Sequence, residues 1–428
     1  MFIHFPEIHL PVEGRENIPL PAMYTIRQRY DATHLTDVAG HLRRQLAENV
    51  PEKERLAGKS ICLTVGSRGI PHLALLVRTI CDVLKEWKAR PFIVPAMGSH
   101  GGATAEGQKA ILAGYNITEE SIGVPVISSM EVVRYGELDG IPLYCDKYAY
   151  AADGIVVFNK VKPHTDFRGR HESGLAKMVA IGMAKHKGAA CFHSFGVDRF
   201  ADLIPRACEL FLATGKLAFG VGVVQNAYDD ICHIAVCTAE NFLTTDARLQ
   251  ALAKEKIPRF KFKDCDVLII DEIGKNISGF GFDPNIVGRN SSGNFPGVLN
   301  LKRLFIRGLT PESHHNATGL GCADITTRRC LNDVDWVHTW INVLTAGAPA
   351  GGRIPLYAEN DKEALLIALR TCPGIDYASA RVARIKNTLC MDVIQVSEAL
   401  YQDIKDRDDV EYISGPAPLQ FDDDDNLL

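Results

Sequence analysis

The sequence predicts an α/β fold of two domains: a larger N-terminal domain whose mostly parallel sheet is flanked by helices, and a smaller C-terminal α/β domain. Three observations lead to this fold class. Short apolar runs alternate with stretches of helical periodicity through most of the first 270 residues, which is typical of parallel strands joined by crossover helices. The 428 residues provide enough chain for more than one domain. From about residue 280 the chain becomes rich in loop-forming residues, which indicates a change of domain.

The predicted elements of the N-terminal domain, residues 1–262, alternate in order along the chain. Strands are predicted from short apolar runs at residues 59–65, 91–96, 154–158, 217–224 and 231–237. Helices are predicted from amphipathic periodicity at residues 71–88, 104–114, 175–187, 200–214 and 244–256. The series ends with a strand at 266–270, just beyond the domain boundary, and we expect a ligand site in the cleft between the domains.

The C-terminal domain, residues 263–428, has a different predicted order. Its strands are predicted at residues 301–307, 382–385 and 393–396, and its helices near 321–331, 334–344 and 362–371. Four consecutive aspartates occupy residues 422–425. Because a run of like charges repels itself and favours solvent, the tail 422–428 is predicted to be disordered.

Composition excludes several classes of partner. The 47 Lys and Arg residues against 52 Asp and Glu residues leave a net charge of −5, which argues against nucleic acid as a partner. No apolar run is long enough to span a membrane, and the N-terminus lacks the pattern of a signal peptide. The twelve cysteines contain no C-x-x-C pair, which indicates reduced, mostly buried thiols. These features predict a cytoplasmic protein.

Polar side chains follow four of the predicted strands. Arg68, His100, His164 and Lys275 each lie in the loop directly after a strand. In open α/β sheets, ligands bind beyond the carboxyl ends of the strands, so these residues predict one shared site. Imidazole titrates near neutral pH, which makes the two histidines candidates for paired acid/base work.

The segment 159–187 is strongly basic within a chain that has no overall positive charge. It contains only two acids, Asp166 and Glu172, against seven basic residues at positions 160, 162, 168, 170, 177, 185 and 187. Positive groups beside a glycine-containing turn suit a phosphate or carboxylate ligand, and the alternative interpretation is a solvated basic surface. The residues alone therefore indicate an α/β enzyme that acts on an anionic ligand.

Four motifs occur in order between residues 66 and 193. They are Gly66-Ser67-Arg68-Gly69-Ile70-Pro71, Gly98-Ser99-His100, Pro163-His164 followed by Ser173-Gly174-Leu175-Ala176-Lys177, and His193, sixteen residues after Lys177. Together they resemble the lactate racemase family, the nickel-pincer-nucleotide-dependent 2-hydroxyacid racemases and epimerases. The resemblance spans nearly the whole chain and is best between residues 60 and 290.

The resemblance implies a cofactor and the residues that hold it. Lys177 would carry the nickel-pincer nucleotide, pyridinium-3-thioamide-5-thiocarboxylic acid mononucleotide, through a covalent link, and other enzymes of the cell would synthesise it. Ser67, Ser173 and Gly174 would contact this group in the N-terminal, cofactor-binding domain. His193 would be the protein ligand of nickel, which accepts planar coordination with soft donors.

The resemblance also implies an isomerase reaction on a 2-hydroxyacid. His100 and His164 would flank the substrate as acid and base while the Cα hydride passes reversibly to the cofactor. Arg68 and Lys275 would bind the substrate carboxylate or stabilise charge on its oxygen.

Departures from the family pattern indicate a substrate other than lactate. Val65 stands where the family has an acid, Glu272 stands where it has a glutamine, and the loop between His164 and Lys177 is longer than in enzymes that act on lactate. Within that loop, Arg170 or His171 would bind a distal carboxylate or hydroxyl, as in a dicarboxylic hydroxyacid or a sugar acid; the alternative is a surface loop without ligand contact.

Two other functions remain as alternatives at this point. One is a protein that binds an anionic or nucleotide-like ligand without turnover. The other is a metal-dependent hydrolase with His100 and His164 as metal ligands.

Overall fold

The chain forms two compact units. The structure, a computed structural model, describes residues 1–67, 69–291, 293–295 and 297–428. One unit consists of Asp31–Ile257, and the other combines Met1–Tyr30 with Pro258–Leu428. Both units are mixed α/β structures with parallel-rich sheets and flanking helices, which confirms the predicted fold class.

The elements are numbered along the chain. The strands are β1 (Met23–Gln28), β2 (Ser60–Val65), β3 (Arg90–Pro95), β4 (Val132–Leu138), β5 (Ile141–Asp146), β6 (Gly154–Lys160), β7 (Leu217–Gln225), β8 (Ile231–Cys237), β9 (Asp264–Ile270), β10 (Arg289–Asn290), β11 (Gly293–Asn294), β12 (Asn300–Ile306), β13 (Ile325–Thr327), β14 (Leu356–Ala358), β15 (Val382–Ile385), β16 (Val393–Ser397) and β17 (Val410–Ala417).

The α-helices are α1 (Val38–Asn49), α2 (Leu73–Glu86), α3 (Ala105–Gly114), α4 (Glu119–Ile122), α5 (Lys147–Ala151), α6 (Leu175–Lys177), α7 (Lys185–His193), α8 (Phe200–Leu212), α9 (Phe242–Lys256), α10 (Pro284–Val287), α11 (Arg328–Asn332), α12 (Trp336–Thr345), α13 (Asp361–Arg370) and α14 (Glu398–Ile404). A π-helical turn, Met178–Gly182, separates α6 from α7. Short 3₁₀ helices lie at Arg15–Asn17, Lys53–Leu56, Gly101–Ala103, Val197–Arg199, Pro311–Ser313, Leu320–Cys322, Pro349–Gly352 and Tyr377–Ser379.

The sheet of the Asp31–Ile257 unit has the strand order β3-β2-β6-β7-β8. The first four strands are parallel and β8 is antiparallel to β7. From β2 the chain moves to β3 on one side and later returns to β6 on the other. The strand order therefore reverses between β2 and β6, and ligands of open α/β sheets bind outside the carboxyl ends of the strands at such a point.

Alternating residues of these strands build two cores, one on each face of the sheet. In β2, Ile61 and Leu63 pack into the core formed with α1 and α2, while Cys62 belongs to the opposite core with Phe200 and Phe211 of α8. This alternation is the two-residue period of a strand, and burial on both faces explains why the strands are continuous apolar runs.

The second unit contains an eight-stranded sheet in the order β14-β13-β12-β9-β15-β16-β1-β17. Its first five strands are parallel, and β1 pairs antiparallel with both β16 and β17. This pairing draws residues 1–30 into the unit formed by 258–428. The observed units therefore differ at the N-terminus from the predicted domain 1–262, because β1 forms its hydrogen bonds with strands near the other end of the chain.

Two segments predicted as helices are more complex in the structure. In the segment 321–331, Ile325–Thr327 forms β13, whose three residues are buried between β12 and β14, so the prediction of a continuous helix is wrong. In the segment 175–187, the π-helical turn interrupts the predicted helix directly after Lys177. Single π-turns within helices occur frequently at functional sites.

The acidic tail is folded, which corrects the prediction of disorder for 422–428. The Leu427 side chain is 5% exposed and lies in the core of its unit. Its amide donates to Asp361 Oδ2 at 3.0 Å, and Lys362 Nζ donates to Asp425 Oδ1 at 2.9 Å. Apolar burial and these polar contacts offset the repulsion among the aspartates.

All twelve cysteines are free thiols and most of them are buried, as predicted. No helix formed by the described residues combines the length and the apolar character needed to cross a bilayer.

Candidate active site

The loops that follow β2 and β3 meet at the carboxyl edge of the five-stranded sheet. Ser67 follows β2 and His100 follows β3, and Ser67 Oγ lies 2.5 Å from His100 Nδ1. The Tyr115 hydroxyl donates to the Ser67 carbonyl at 3.0 Å. The Gly98 amide donates to the carbonyl of Gly182, in the π-helical turn, at 3.1 Å. These contacts connect the His100 loop to the helical segment that carries Lys177.

A buried polar network anchors the backbone of the His100 loop. The fully buried Gln108 side chain donates from Nε2 to the Gly98 carbonyl at 2.8 Å and to the His100 carbonyl at 3.3 Å. Lys185 Nζ donates to Gln108 Oε1 at 3.0 Å and lies 3.2 Å from Asp146 Oδ2. Lys185 is fully buried, and this burial lowers the pKa of its amine although Asp146 opposes the shift.

One member of the predicted basic segment is therefore structural, and a second lies over an aromatic ring at the surface. Lys185 is a core cation paired with Asp146, and Lys187 Nζ lies 4.8 Å from the centroid of the Tyr144 ring. The sequence interpretation of seven basic residues as one ligand-binding field is wrong for Lys185, because a charge pattern does not distinguish a buried side chain from an exposed one such as Lys187.

His164 and Lys177 are in direct contact. Lys177 Nζ lies within hydrogen-bonding distance of His164 Nε2. The Asp166 amide donates to His164 Nδ1 at 3.0 Å, so Nδ1 is the acceptor and a neutral ring carries its proton on Nε2, towards the lysine. When the Lys177 amine is deprotonated, its lone pair accepts that proton, and the deprotonated amine is the nucleophilic form.

The backbone of His164 is held by a carboxylate. Glu172 is fully buried; its Oε2 accepts the His164 amide at 2.8 Å and its Oε1 accepts the Gly169 amide at 2.9 Å. Lys254 Nζ of α9 lies 2.6 Å from Glu172 Oε1 and donates to the Gly169 carbonyl at 2.7 Å. Sequence reasoning missed both residues. Glu172 is one of only two acids in the basic segment, and that isolation was the signal that could have identified it.

A second carboxylate of α9 holds the other end of the loop. Asp246, 1% exposed, lies 2.9 Å from His171 Nδ1 through Oδ2 and accepts the Leu175 amide at 2.6 Å through Oδ1. A Cβ on Gly174 would lie 2.2 Å from Asp246 Oδ1, so only glycine fits there. His171 is 6% exposed and bound to this carboxylate, whereas its neighbour Arg170 is exposed.

Ser173 and Gly174 form the entry to α6. Ser173 pairs with Lys162 through two backbone hydrogen bonds of 2.8 and 3.3 Å. The Asn159 side-chain amide donates to the Gly174 carbonyl at 2.9 Å. Both predicted cofactor contacts therefore lie on the loop that leads into the Lys177 helix.

His193 ends α7 with an unsatisfied nitrogen. Its Nδ1 is buried and has no hydrogen-bond partner within the described parts of the chain. Burial, with a contribution from the Lys177 charge, lowers the pKa of His193 from 6.5 to about 4, so the ring is neutral at neutral pH. A neutral imidazole with an available nitrogen is what a metal ion requires of a histidine ligand.

Two phenylalanines connect the rings of His164 and His193. The His164 ring centroid lies 4.4 Å from that of Phe167, Phe167 lies 5.6 Å from Phe200, and Phe200 lies 5.1 Å from His193. The predicted acid/base residue and the predicted metal ligand thus line one aromatic wall. In residues 1–67, 69–291, 293–295 and 297–428, no group of three or more His, Cys, Asp or Glu side chains is arranged to hold a metal ion by itself.

The remaining predicted residues lie elsewhere. Arg68 lies outside the described residues. Lys275 belongs to the unit that contains the eight-stranded sheet, follows β9, and donates to the Gly279 carbonyl at 2.8 Å. In the same unit, Glu272 Oε1 accepts the Asn387 side-chain amide at 2.7 Å. Val65 is fully buried at the end of β2.

No protein-family model and no curated protein matches the chain. The solved structure of the lactate racemase apoprotein from Thermoanaerobacterium thermosaccharolyticum is 16% identical, covers 86% of this chain and 99% of its own, and has a TM-score of 0.49. A crystal structure of a Thermotoga maritima protein is 17% identical over 65% of this chain and 72% of its own, with a TM-score of 0.47. These similarities do not bear on activity.

Proposed function

We propose that this protein is a racemase or epimerase of a 2-hydroxyacid and that it works with a nickel-pincer nucleotide attached to Lys177. The observation that carries the proposal is the contact between the Lys177 amine and His164 Nε2. It supports the role because a nucleophilic lysine and a titratable imidazole meet on one wall with His193, whose buried Nδ1 has no partner among the described residues.

The residues present fit the cofactor. Lys177 would hold it covalently, His193 would be the nickel ligand, and Ser67, Ser173 and Gly174 would contact it. When bound, this group supplies a reversible acceptor for the Cα hydride, and the protein supplies orientation and proton transfer.

The two histidines are proposed to move the hydroxyl proton. If His100 holds its own proton on Nδ1, towards Ser67 Oγ, its unprotonated Nε2 can remove the substrate hydroxyl proton. His164 is proposed to return a proton from Nε2 to the substrate oxygen when the opposite configuration forms. For this step the ring must first take up a second proton at Nδ1, which the Asp166 amide then releases and which lies 3.9 Å from Asp166 Oδ2, so that the ring is neutral after the transfer. The roles exchange in the reverse direction.

The substrate is proposed to carry a second polar group. Arg170 is exposed between Gly169 and His171, and both neighbours are anchored to buried or half-buried charged residues. A guanidinium presented by a rigid loop suits a second carboxylate, as in a dicarboxylic hydroxyacid or a sugar acid. Arg68 and Lys275 remain proposed ligands of the first carboxylate. The partners proposed for this protein are its small-molecule substrate and the enzymes that synthesise the cofactor.

Intact-mass measurement after co-expression with cofactor-synthesis enzymes tests the proposal. Wild-type protein should carry an adduct of mononucleotide mass on Lys177, with about one nickel per chain as expected for a single ligand set. The variant Lys177→Ala should lack both, and the control Lys187→Ala should retain both. A bare Lys177 in the wild type under these conditions overturns the proposal.

A substrate panel then separates an enzyme from a binding protein. Monocarboxylic, dicarboxylic and sugar hydroxyacids are incubated with the loaded protein in heavy water, and both stereochemistry and Cα deuterium are measured. Interconversion without Cα deuterium supports hydride transfer, whereas deuterium incorporation indicates proton abstraction from carbon. Binding without interconversion supports the ligand-binding alternative. The hydrolase alternative is less favoured, because in the cofactor-free protein Lys177 and the Asp166 amide contact both ring nitrogens of His164. In the racemase proposal, by contrast, attachment of the cofactor takes the Lys177 amine away from His164 Nε2.

A further inference from the structure

Helix α9 directs polar side chains towards the candidate site from a distant part of the sequence. Asp246, Gln250 and Lys254 follow one another at four-residue intervals, which places them on one face of the helix. Asp246 and Lys254 both contact the segment between His164 and Leu175, at two different points. None of the three belongs to a motif that the sequence analysis identified.

The two contacts differ in what they hold. At one end, Asp246 accepts the Leu175 amide at 2.6 Å and so caps the first turn of α6, two residues before Lys177. At the other end, Lys254 pairs with Glu172 at 2.6 Å, and Glu172 accepts the backbone amide of His164 at 2.8 Å.

Both carboxylates depend on their partners, because each is almost completely removed from solvent. Asp246 is 1% exposed and Glu172 is 0% exposed. A buried carboxylate that loses its cationic or N–H partner must either regain water or protonate, and either change displaces the backbone that it binds. The positions of Lys177 and His164 therefore depend on two separate contacts with one helix.

We propose that Asp246 and Lys254 are positioning residues of this site, Asp246 for the Lys177 helix and Lys254, through Glu172, for His164. The inference rests on the proposed function for its catalytic consequence. Its geometric part concerns the cofactor-free protein and stands independently.

The proposal predicts separable defects in Asp246→Asn and Lys254→Met. A useful control is Lys256→Met on the same helix, because Lys256 pairs with Asp31 rather than with the loop. The first measurement is made on the cofactor-free protein and has two parts. Peptide mass spectrometry gives the rate at which acetic anhydride modifies Lys177, and hydrogen exchange reports on the backbone of residues 163–177. The second is the yield of the Lys177 adduct, with kcat and KM of the loaded enzyme.

Asp246→Asn should change the Lys177 modification rate at least threefold and lower the adduct yield. Lys254→Met should lower the adduct yield less than Asp246→Asn does, because it displaces His164 and leaves the Leu175 cap in place. It should lower kcat of the loaded enzyme about tenfold at unchanged KM, because misplacement of a catalytic group slows the step itself. Lys254→Arg should restore kcat, and Lys256→Met should resemble wild type. If Asp246→Asn does not fold, two other variants replace it. His171→Gln keeps the contact between Asp246 and the Leu175 amide, so the rate of Lys177 modification should stay as in the wild type. Gly174→Ala displaces that contact, so the rate of Lys177 modification should change.

Equal changes in all measurements for both variants, or the same change in Lys256→Met, overturn the proposal in favour of a general structural role. Unchanged Lys177 modification, exchange and kcat in both variants also overturn it. Failure of the proposed function is distinguishable. Absence of adduct or turnover in the wild type refutes that function, while acetic anhydride modification and hydrogen exchange still decide whether α9 positions the two residues.

Discussion

The two loops that carry the candidate acid/base histidines are supported in different ways. The His100 loop rests on a neutral amide: Gln108 binds its carbonyls and connects them to the Lys185–Asp146 pair. The His164 loop is held by charges, with Glu172 on its amides and Lys254 on Glu172. The direct anchor lies eight residues from the histidine in both loops, Gln108 for His100 and Glu172 for His164. The difference is that the first anchor is a neutral amide and the second is a carboxylate, so the geometry of His164 depends on an ionic contact with α9.

Replacing the two histidines gives the largest expected effects. Both His164→Gln and His100→Gln should lower kcat about 10²- to 10³-fold, because each removes a proton-transfer group. Only His164→Gln should also slow adduct formation on Lys177, since the His164 ring contacts that amine. Steady-state kinetics and intact mass check this, with the exposed His186→Gln as the control. Equal adduct yields in the two variants would contradict the distinction.

Truncating the two supports compares a charged with a neutral anchor. Glu172→Ala should lower the free energy of unfolding by about 3 kcal/mol, because it breaks a buried ion pair and leaves two amides without their acceptor. Gln108→Ala should cost about 2 kcal/mol, the penalty for neutral buried partners left unsatisfied. Urea unfolding of the cofactor-free protein measures both. A larger loss for Gln108→Ala would reverse the comparison.

The pH dependence of the free energy of unfolding tests Lys185, the buried lysine that supports the His100 loop. Burial lowers the folded-state pKa of Lys185, so between that pKa and the unfolded value near 10.4 the unfolded chain binds more protons than the folded one. The free energy of unfolding should therefore rise through this window as pH increases. Lys185→Met lacks this pH-dependent contribution to the free energy of unfolding. Urea unfolding of both proteins at pH 7 to 10 measures it, as the free energy of unfolding of the wild type minus that of the variant. If the free energy of unfolding of the wild type minus that of the variant falls as the pH rises, the lowered pKa of Lys185 is contradicted.

The smallest expected effect concerns Gln250, between the two positioning residues of α9. Its side chain is 1% exposed, and neither amide atom has a hydrogen-bond partner among the residues that the structure describes. Gln250→Met should raise the free energy of unfolding by about 1 kcal/mol, because it removes an unsatisfied amide of similar size. Destabilisation on thermal or urea unfolding would indicate that an ordered water or a ligand binds this amide.

Much of the fold could be predicted because its determinants are local. The alternation of β2, α2, β3 and α3 follows from apolar periodicity over short windows. The prediction was less complete where pairing is distant: β1 joins β16 and β17. The short strand β13 likewise depends on its neighbours in the sheet rather than on its own pattern.

The residues of the candidate site could likewise be predicted only in part. Motif positions led to His164 and Lys177, and the structure brings their side chains together. His171, predicted to bind substrate, is instead buried against Asp246.

By itself, the sequence determined the α/β class, the strand-exit positions of the polar residues, and the order of the motifs around His100, His164, Lys177 and His193. Only the tertiary structure decided which charges are buried and which residues of α9 hold the loop. The physical reason is that periodicity and turn chemistry act between neighbours in the chain. Burial and ion pairing act between groups that only folding brings together, such as Glu172 and Lys254.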